Sequence, residues 1–285
     1  MLMTQDDIRS HYEQQWKTQS DGASGARDLA YSSPIEDAVA YPAYLSLLRD
    51  HNLSLDDKRV LDVGSGSGRW VSFLLEHFRP GEMVGMDYTL ASVELLRKWW
   101  NGPRARCASV KPGFLHASIA DPALNLDRTF DFINIANVLF HIPEPELHAA
   151  ALRNLRKLLA PGGAIVTTEY LPRVSMRTNW MMVRSRYEFG QAVAEAGLRI
   201  AAIRGSCFFA NDPMGLDGPD GYVRQSFNTV RDRMAQLLNG CDNDQTRRFI
   251  VDLFANIEQA CLSFARERIA EVDMPSQKLV LLVAA

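Results

Sequence analysis

The stretch "VLDVGSGSGRW", Val60 to Trp70, decides how the chain reads. An apolar run holding one aspartate, Asp62, passes into glycines at positions 64, 66 and 68. Glycine carries no Cβ, so such a turn lets the backbone approach another group closely. After a buried strand, the pattern suits a dinucleotide, a phosphate or another nucleotide-like cofactor. The stretch by itself does not choose among them.

Spacing narrows the choice. The dinucleotide fingerprint is Gly-x-Gly-x-x-Gly, whereas Gly64, Gly66 and Gly68 give Gly-x-Gly-x-Gly with Arg69 in the third glycine's place. That counts against a pyrophosphate. No Gly-Lys-Ser/Thr follows, which excludes a P-loop. What remains is a nucleoside cofactor with a charged, amino-acid-like end. An acid at the end of the next strand would hold its ribose hydroxyls, and Asp87 in "VGMDYT" lies nineteen positions beyond Gly68. Asp87 also reads as a plain strand-end or capping acid. Asp62 reads equally as a turn-ordering residue or an indirect cofactor contact.

Outward from the turn, strands and helices alternate. Helices are predicted over residues 4–18 and Ile35–Asp50, with a loop over 19–34 between them. The strand "KRVLDV" leads to a helix over Arg69–Phe78, stopped by "RPGE". Next come the strand "MVGMD", a helix over Leu90–Trp100, a weak strand near "FLHAS" and a stronger one in "FDFINIA". A helix over Glu144–Leu159 ends at "APGG" and hands over to the strand "AIVTTEY". The helix "RSRYEFGQAVAEAG", the strand "LRIAAIR" and a final strand over Lys278–Ala284 complete the chain. Short apolar strands between helices indicate a parallel sheet covered on both faces. The roughly seventy residues before the final strand are too many for a bare loop. Apolar residues recur there at helical spacing from Phe249 to Phe264, which predicts a helical insertion over residues 206–276, above the open edge of a cleft.

These motifs together resemble the class I S-adenosylmethionine-dependent methyltransferases, from about Val60 to Tyr170 and again at the last strand. "VLDVGSGSG" resembles the family's first motif and "VGMD" its second. "FDFINIANVLFHI" resembles the fourth strand with its following turn, and "LRNLRKLLAPGGAIVTTEY" the segment after it. Four motifs in order are far more specific than one. The resemblance implies an α/β fold with a seven-stranded Rossmann-like sheet, order 3-2-1-4-5-7-6, strand 7 antiparallel. It implies an S-adenosyl-L-methionine-binding core over 59–205 and 277–285, an N-terminal helical cap over 1–58, and residues 206–276 as an acceptor lid.

In the site so implied, Gly64, Ser65 and Gly66 line the methionine part, with Gly68 completing the turn, and Asp87 with neighbouring Tyr88 holds the ribose. Ala136 and Asn137 lie near the methionine amino group. Many relatives place an aspartate at the adenine; "LHASIAD" offers Ser118 with Ile119, and Asp121 as a substitute. Tyr12 and Trp16, in "HYEQQW", match a helical leader that lids the cofactor, or they pack as an ordinary helix.

Methyl transfer from a sulfonium needs no metal; the protein aligns the nucleophile, excludes water and, for a hydroxyl, takes a proton. His141 after the fourth strand and Glu169 at the end of the fifth, with Tyr170 beside it, project from the edge where ligands of open α/β sheets bind. His141 is a base or a turn-ordering residue; Glu169 is a substrate contact or an ion-pair partner of Arg184 or Arg177. "MRTNWMMVRSRYEF" sets aromatic and methionine residues beside arginines, as in a pocket wall for a partly apolar acceptor or a packed helix face.

Composition sets the outer bounds. The chain has 285 residues, 47% hydrophobic and 23% charged, with net charge -3, so nothing calls for a polyanionic partner. The arginine pairs 184/186, 247/248 and 266/268 are scattered and read as solvated faces. Cys107, Cys207, Cys241 and Cys261 form no CxxC, so neither a zinc site nor a disulfide framework is indicated. The polar N-terminus and the lack of a long apolar run predict a cytoplasmic protein without a membrane span. The expected activity is O-methylation of a small-molecule or glycan acceptor, with N- or C-methylation or silent cofactor binding as alternatives. A dehydrogenase is opposed by Arg69. A nucleic-acid enzyme is opposed by charge, and by "NIAN" standing where an Asn/Asp-Pro-Pro-aromatic motif would be.

Overall fold

The computed structural model describes residues 2–20, 34–101, 110–208, 222–268 and 277–285. Two helices come first, α1 (Gln5–Ser20) and α2 (Pro34–Asp50). Alternation then begins with β1 (Arg59–Val63), α3 (Arg69–His77), β2 (Glu82–Asp87), α4 (Leu90–Trp100), β3 (Gly113–His116) and β4 (Phe130–Ile135). A 3-10 turn (Leu139–His141) leads to α5 (Pro145–Leu158) and β5 (Leu159–Glu169). A hairpin of β6 (Met176–Arg177) and β7 (Met182–Val183) precedes α6 (Arg186–Glu195) and β8 (Leu198–Gly205). Two long helices, α7 (Tyr222–Asn239) and α8 (Asp244–Arg268), precede β9 (Lys278–Ala284).

Seven strands form one sheet in the order β3-β2-β1-β4-β5-β9-β8. β9 runs antiparallel to both neighbours and the other pairs are parallel. This is the expected topology, with β8 and β9 as the family's sixth and seventh strands. Strand alternation divides the core in two. Leu61, Ile133, Ile165 and Val280 face α5 and α6, while Val60, Phe132, Val166 and Leu281 face α2, α3 and α4. Both faces are therefore covered, as a parallel sheet requires.

Three segments differ from expectation. β5 starts at Leu159, because Leu159 already pairs with Phe130; the exposed Pro161–Gly162 then bulges, with Gly162 at φ +73°, and pairing resumes at Ala164. The segment "MRTNWMMV" is a hairpin and no helix face. Helix α6 begins only at Arg186, where Ser185 Oγ accepts the Glu188 N–H at 3.2 Å. In the insertion, Ile250 and Phe254 pack with Ile35 and Val39 of α2, but Phe249, Leu253, Ile257 and Phe264 are exposed. The helical spacing holds, and it is divided between a packed side and an exposed one. Cys107 and Phe209 lie outside the described residues. No described helix is long and apolar enough to cross a membrane.

Candidate active site

The donors of the glycine turn are already in use. Gly64 and Ser65 N–H both donate to the Met86 carbonyl, at 2.7 and 3.1 Å, and Gly68 N–H donates to the Ser65 carbonyl at 2.6 Å. Gly66 N–H donates to Asp87 Oδ2 at 2.8 Å. A pyrophosphate cradle needs free N–H groups, so this turn, stitched to the end of β2, is not one. The missing Cβ atoms make room for the chain's own side chains. A Cβ on Gly66 (φ +47°) would stand 3.1 Å from Trp16 of α1, and one on Gly64 (φ +71°) would run into Val138. The ligand approach expected from the glycines is thus joined by packing of α1 and the β4 turn.

Asp87 is buried, and both its oxygens are engaged. Oδ1 accepts the Thr89 N–H at 2.9 Å and its hydroxyl at 2.7 Å, at the start of α4, while Oδ2 holds Gly66. The capping reading and the site reading coincide, since Asp87 also lines the cavity and Oδ2 keeps one lone pair free of these bonds. Asp62 lies below the turn and off the cavity wall. Its Oδ1 accepts from Asn134 Nδ2 at 2.6 Å, and Asn134 Oδ1 accepts from the Tyr44 hydroxyl at 2.8 Å. Its Oδ2 is buried without a hydrogen-bond partner among the described residues. Burial pushes the Asp62 carboxyl up to about 7, against the pull of Asn134.

A cavity of about 580 Å³ opens at the C-terminal ends of β1, β2, β4 and β5. Of the residues expected in the site, Tyr12, Trp16, Gly64, Ser65, Gly66, Asp87, Tyr88, Ser118, Ile119, Ala136, Asn137 and His141 line it; Asp62, Gly68 and Glu169 do not. Burial pushes the Tyr88 hydroxyl pKa up. Asp121, the expected substitute at the adenine, is exposed and faces away, its carboxylate accepting the Ala123 N–H at 2.9 Å. The Ser118 turn is held instead by Asn154 of α5, whose Nδ2 donates to the carbonyls of Ile119 (2.8 Å) and Asp121 (2.7 Å). Asn137 sits at φ +61°, a region asparagine tolerates. It is fixed by Thr168, which accepts its N–H at 2.6 Å, and by Gln277, whose Nε2 donates to its Oδ1 at 2.5 Å.

His141 closes the 3-10 turn. Its Nδ1 lies 3.5 Å from the Trp180 carbonyl, which can only accept, so the proton is assigned to Nδ1 and Nε2 carries the lone pair. The Tyr12 hydroxyl, 3.4 Å from Nε2, then donates to it. Burial drops the imidazole to about 4, so it is neutral at cellular pH. Glu169 lies beneath this wall, its Oε1 accepting from the Thr167 hydroxyl at 3.2 Å. Burial pushes it up to about 8 while the positive charge of Arg184 pulls it down. Arg184 is itself buried, correcting the solvated-face reading, and donates to the carbonyls of Ile142 (3.0 Å) and Met182 (3.4 Å). Arg184 thereby ties the His141 turn to the hairpin.

Thr178, Trp180 and Met181 reach the cavity from the hairpin, while Gln277 from the foot of β9 and Glu36 from α2 carry no local signal in the sequence. Arg69 reaches Glu36 at 3.6 Å, pairs with Asp37 and donates to the Tyr41 hydroxyl at 3.2 Å. Glu36 is pushed up by burial and pulled down by Arg69. The "MRTNWMM" pattern did signal a wall. The arginine's partners were not predictable, because β1 and the glycine turn separate α2 from Arg69 and only the fold brings them together.

The sheet order, the cavity at the strand ends and the acid-capped glycine turn define the class I S-adenosylmethionine-dependent methyltransferase fold. The chain belongs to the methyltransferase-domain family, whose model matches residues 39–202. It is 28% identical over 113 residues to a probable methyltransferase, ltbC, of Aspergillus luteorubrus, covering 39% of each chain. It is 27% identical over 165 residues to the malonyl-[acyl-carrier protein] O-methyltransferase of Halorhodospira halophila, covering 53% of this chain and 52% of that one. The chain thus spans about half or less of the length of these curated relatives. The CcbJ methyltransferase of Streptomyces caelestis shares the fold, with TM-score 0.54 and 14% identity over 96% of this chain and 98% of that one.

S-adenosylmethionine, the cofactor of this class, fits the residues present. Its methionyl end carries an ammonium, whose charge would favour the ionised form of the buried Asp62 carboxyl, and Asp62 Oδ2 has no hydrogen-bond partner among the described residues. Its ribose offers hydroxyl donors, and Asp87 presents the remaining lone pair of Oδ2 at the cavity wall. Among the described residues no group of side chains could hold a metal ion.

Proposed function

We propose that this protein methylates an oxygen of a small-molecule acceptor, with His141 as the proton acceptor. The observation that carries the reading is one cavity shared by Asp87 and the glycine turn at one end and His141 Nε2 at the other. Bound there, S-adenosylmethionine supplies a methyl group on a sulfonium sulfur. Transfer forms an oxygen–carbon bond and breaks the sulfur–carbon bond, whose electron pair stays on sulfur.

The chain's residues then have distinct work. Asp87, with Tyr88, holds the ribose, Ser118 and Ile119 flank the adenine, and Gly64, Ser65, Gly66, Ala136 and Asn137 border the methionyl end. Gly68 shapes the turn and Asp62 attracts the ammonium from below. Tyr12 and Trp16 cover the site and exclude water. His141 Nε2 takes the acceptor proton while the Trp180 carbonyl keeps Nδ1–H in place. Glu169 acts through Arg184 as a positioning residue, away from the reacting atoms.

A neutral base that binds its proton weakly removes a phenolic proton, near pKa ~10, more readily than an aliphatic hydroxyl's. Residues 206–276 act on acceptor binding through Gln277 and α2, since none of their described side chains lines the cavity. Incubation with methyl-deuterated S-adenosylmethionine and a panel of phenols, carboxylic acids, amines and sugars tests the activity by mass spectrometry. Labelled phenol ethers support the reading; label on nitrogen or carbon only, or on no acceptor, removes it.

A further inference from the structure

The cavity's second end is built differently from the first. Phe140, Tyr170 and Val183 form a small hydrophobic cluster with Met176 and Met181, apart from the two cores that flank the sheet. Phe140 and Tyr170 meet edge to face at 5.4 Å between ring centres. The hairpin turn is tied on itself: Thr178 N–H donates to the Met181 carbonyl at 2.9 Å, and Met181 N–H donates to Thr178 Oγ1 at 3.1 Å. This turn presents Trp180, a large apolar side chain left 40% exposed, at the cavity. The side chains of Phe140, Tyr170, Trp180 and Met181 are uncharged; behind them Lys278 Nζ donates to the Tyr170 carbonyl at 2.6 Å and Arg184 to the carbonyls of Ile142 and Met182. The one hydroxyl now on His141 Nε2 is the phenol of Tyr12, 3.4 Å away.

We propose that Phe140, Tyr170, Trp180 and Met181 form the acceptor subsite, and that it takes an uncharged aromatic hydroxyl compound lying against Trp180 with its oxygen at His141. This rests on the methyl-transfer reading above. Aromatic side chains and methionine sulfur favour the faces and edges of a flat ring over an aliphatic body of the same size. An anionic acceptor would meet no cation among these side chains, because Arg184 and Lys278 behind them are turned to backbone carbonyls and Arg69, elsewhere in the cavity, is paired with Glu36 and Asp37, so its lost hydration would go largely uncompensated. An acceptor phenol takes the place of the Tyr12 hydroxyl, because Nε2 has a single lone pair. The phenolic proton then passes to Nε2 as the oxygen–carbon bond forms.

The test is calorimetric titration of the full chain with 2-naphthol, its saturated counterpart decahydro-2-naphthol, and 2-naphthoate, each with and without S-adenosylhomocysteine. The subsite predicts 2-naphthol binding at least tenfold tighter than either comparison compound. Trp180→Ala should weaken 2-naphthol about tenfold, Trp180→Phe should recover most of that, and both should leave S-adenosylhomocysteine affinity within twofold. Because Trp180 stands on an exposed turn, these variants are expected to keep the fold, which circular dichroism checks. Equal binding of 2-naphthol and decahydro-2-naphthol, tighter binding of 2-naphthoate, or an unchanged 2-naphthol affinity in Trp180→Ala overturns the proposal. Failure of S-adenosylhomocysteine to bind, with the 2-naphthol preference intact, instead counts against the methyl-transfer reading alone.

Discussion

The two ends of the cavity are made in contrasting ways. The end proposed for the cofactor is a short run of backbone: the glycine turn is stitched to Met86 and Asp87 by three N–H groups, and Asp87 is held in turn by Thr89. Its main parts fall within Asp62–Thr89, and each bond joins the ends of adjacent strands or a strand to its own helix. The end proposed for the acceptor is made of side chains from α1, the 3-10 turn, the end of β5, the hairpin and the foot of β9. A hydrogen-bonded backbone turn suits a ligand that stays the same. A wall of separate side chains can be changed one residue at a time to suit different acceptors.

That contrast predicts which changes strike which end. The largest effect is expected at the boundary. His141→Gln keeps polar bonding capacity without useful basicity and should lower kcat by about 10²–10⁴-fold, roughly 3–5 kcal/mol of barrier. Cofactor affinity should hold in the same calorimetric assay. Wild-type activity should keep its acidic limb near pH 4, where the buried imidazole takes a proton, instead of near ~6.5. A limb near 6.5 that vanishes in the variant contradicts the buried, neutral imidazole.

Next in size is Asp87→Ala. Loss of its charge-assisted bonds should weaken cofactor binding roughly tenfold to a hundredfold, about 1.5–3 kcal/mol. Asp87→Asn keeps the side chain's shape and one carbonyl oxygen, which can accept from Thr89 or from Gly66 but not from both, and should lose somewhat less. Equal losses in both would mean that the charge, more than the shape of the side chain, carries the effect.

Asp62 gives a pH test of the buried floor. Its folded pKa, about 7, lies above the ordinary 3.8, so the folded state holds the proton more tightly than the unfolded one. The stability this brings is fully present below the ordinary value and is lost as pH rises through about 7. Relative to Asp62→Asn, the wild type should therefore lose stability between these limits, by at most about 1.4 kcal/mol per pH unit. Denaturant melts of both proteins across that range measure it, and parallel curves contradict it.

The smallest effect is expected from the insertion. Phe208 N–H donates to Glu258 of α8, away from the cavity wall. Phe208→Ala should raise acceptor KM by only about two- to threefold, under 1 kcal/mol. A loss of cofactor affinity as large as that of Asp87→Ala would erase the contrast between the two ends.

Legibility in the sequence follows the same division. The sheet order and the cofactor end could be read because glycine spacing, strand-end acids and strand–helix alternation are local patterns. Asp87 was placed by counting from Gly68, and Ser118 by its position after a weak strand. Asp121 was misjudged because its carboxylate closes its own turn, which only the turn's direction reveals. Of the two readings of Glu169, the one beside Arg184 fits, because strand alternation turned it inward while Tyr170 beside it reached the cavity. Trp180 sat in a recognisable aromatic–methionine run that read as a pocket wall or a helix face, and the turn closed by Thr178 makes it a hairpin wall. Gln277 had no signal at all: its contact with Asn137 spans 140 residues and exists only because β9 returns beside β5.

The most direct test of the account is calorimetric titration of S-adenosylmethionine into the wild type, Asp87→Ala and Trp180→Ala, side by side. The account predicts binding to the wild type, at least tenfold weakening by Asp87→Ala, and a change within twofold for Trp180→Ala. No binding to the folded wild type, or equal weakening by both substitutions, would contradict it.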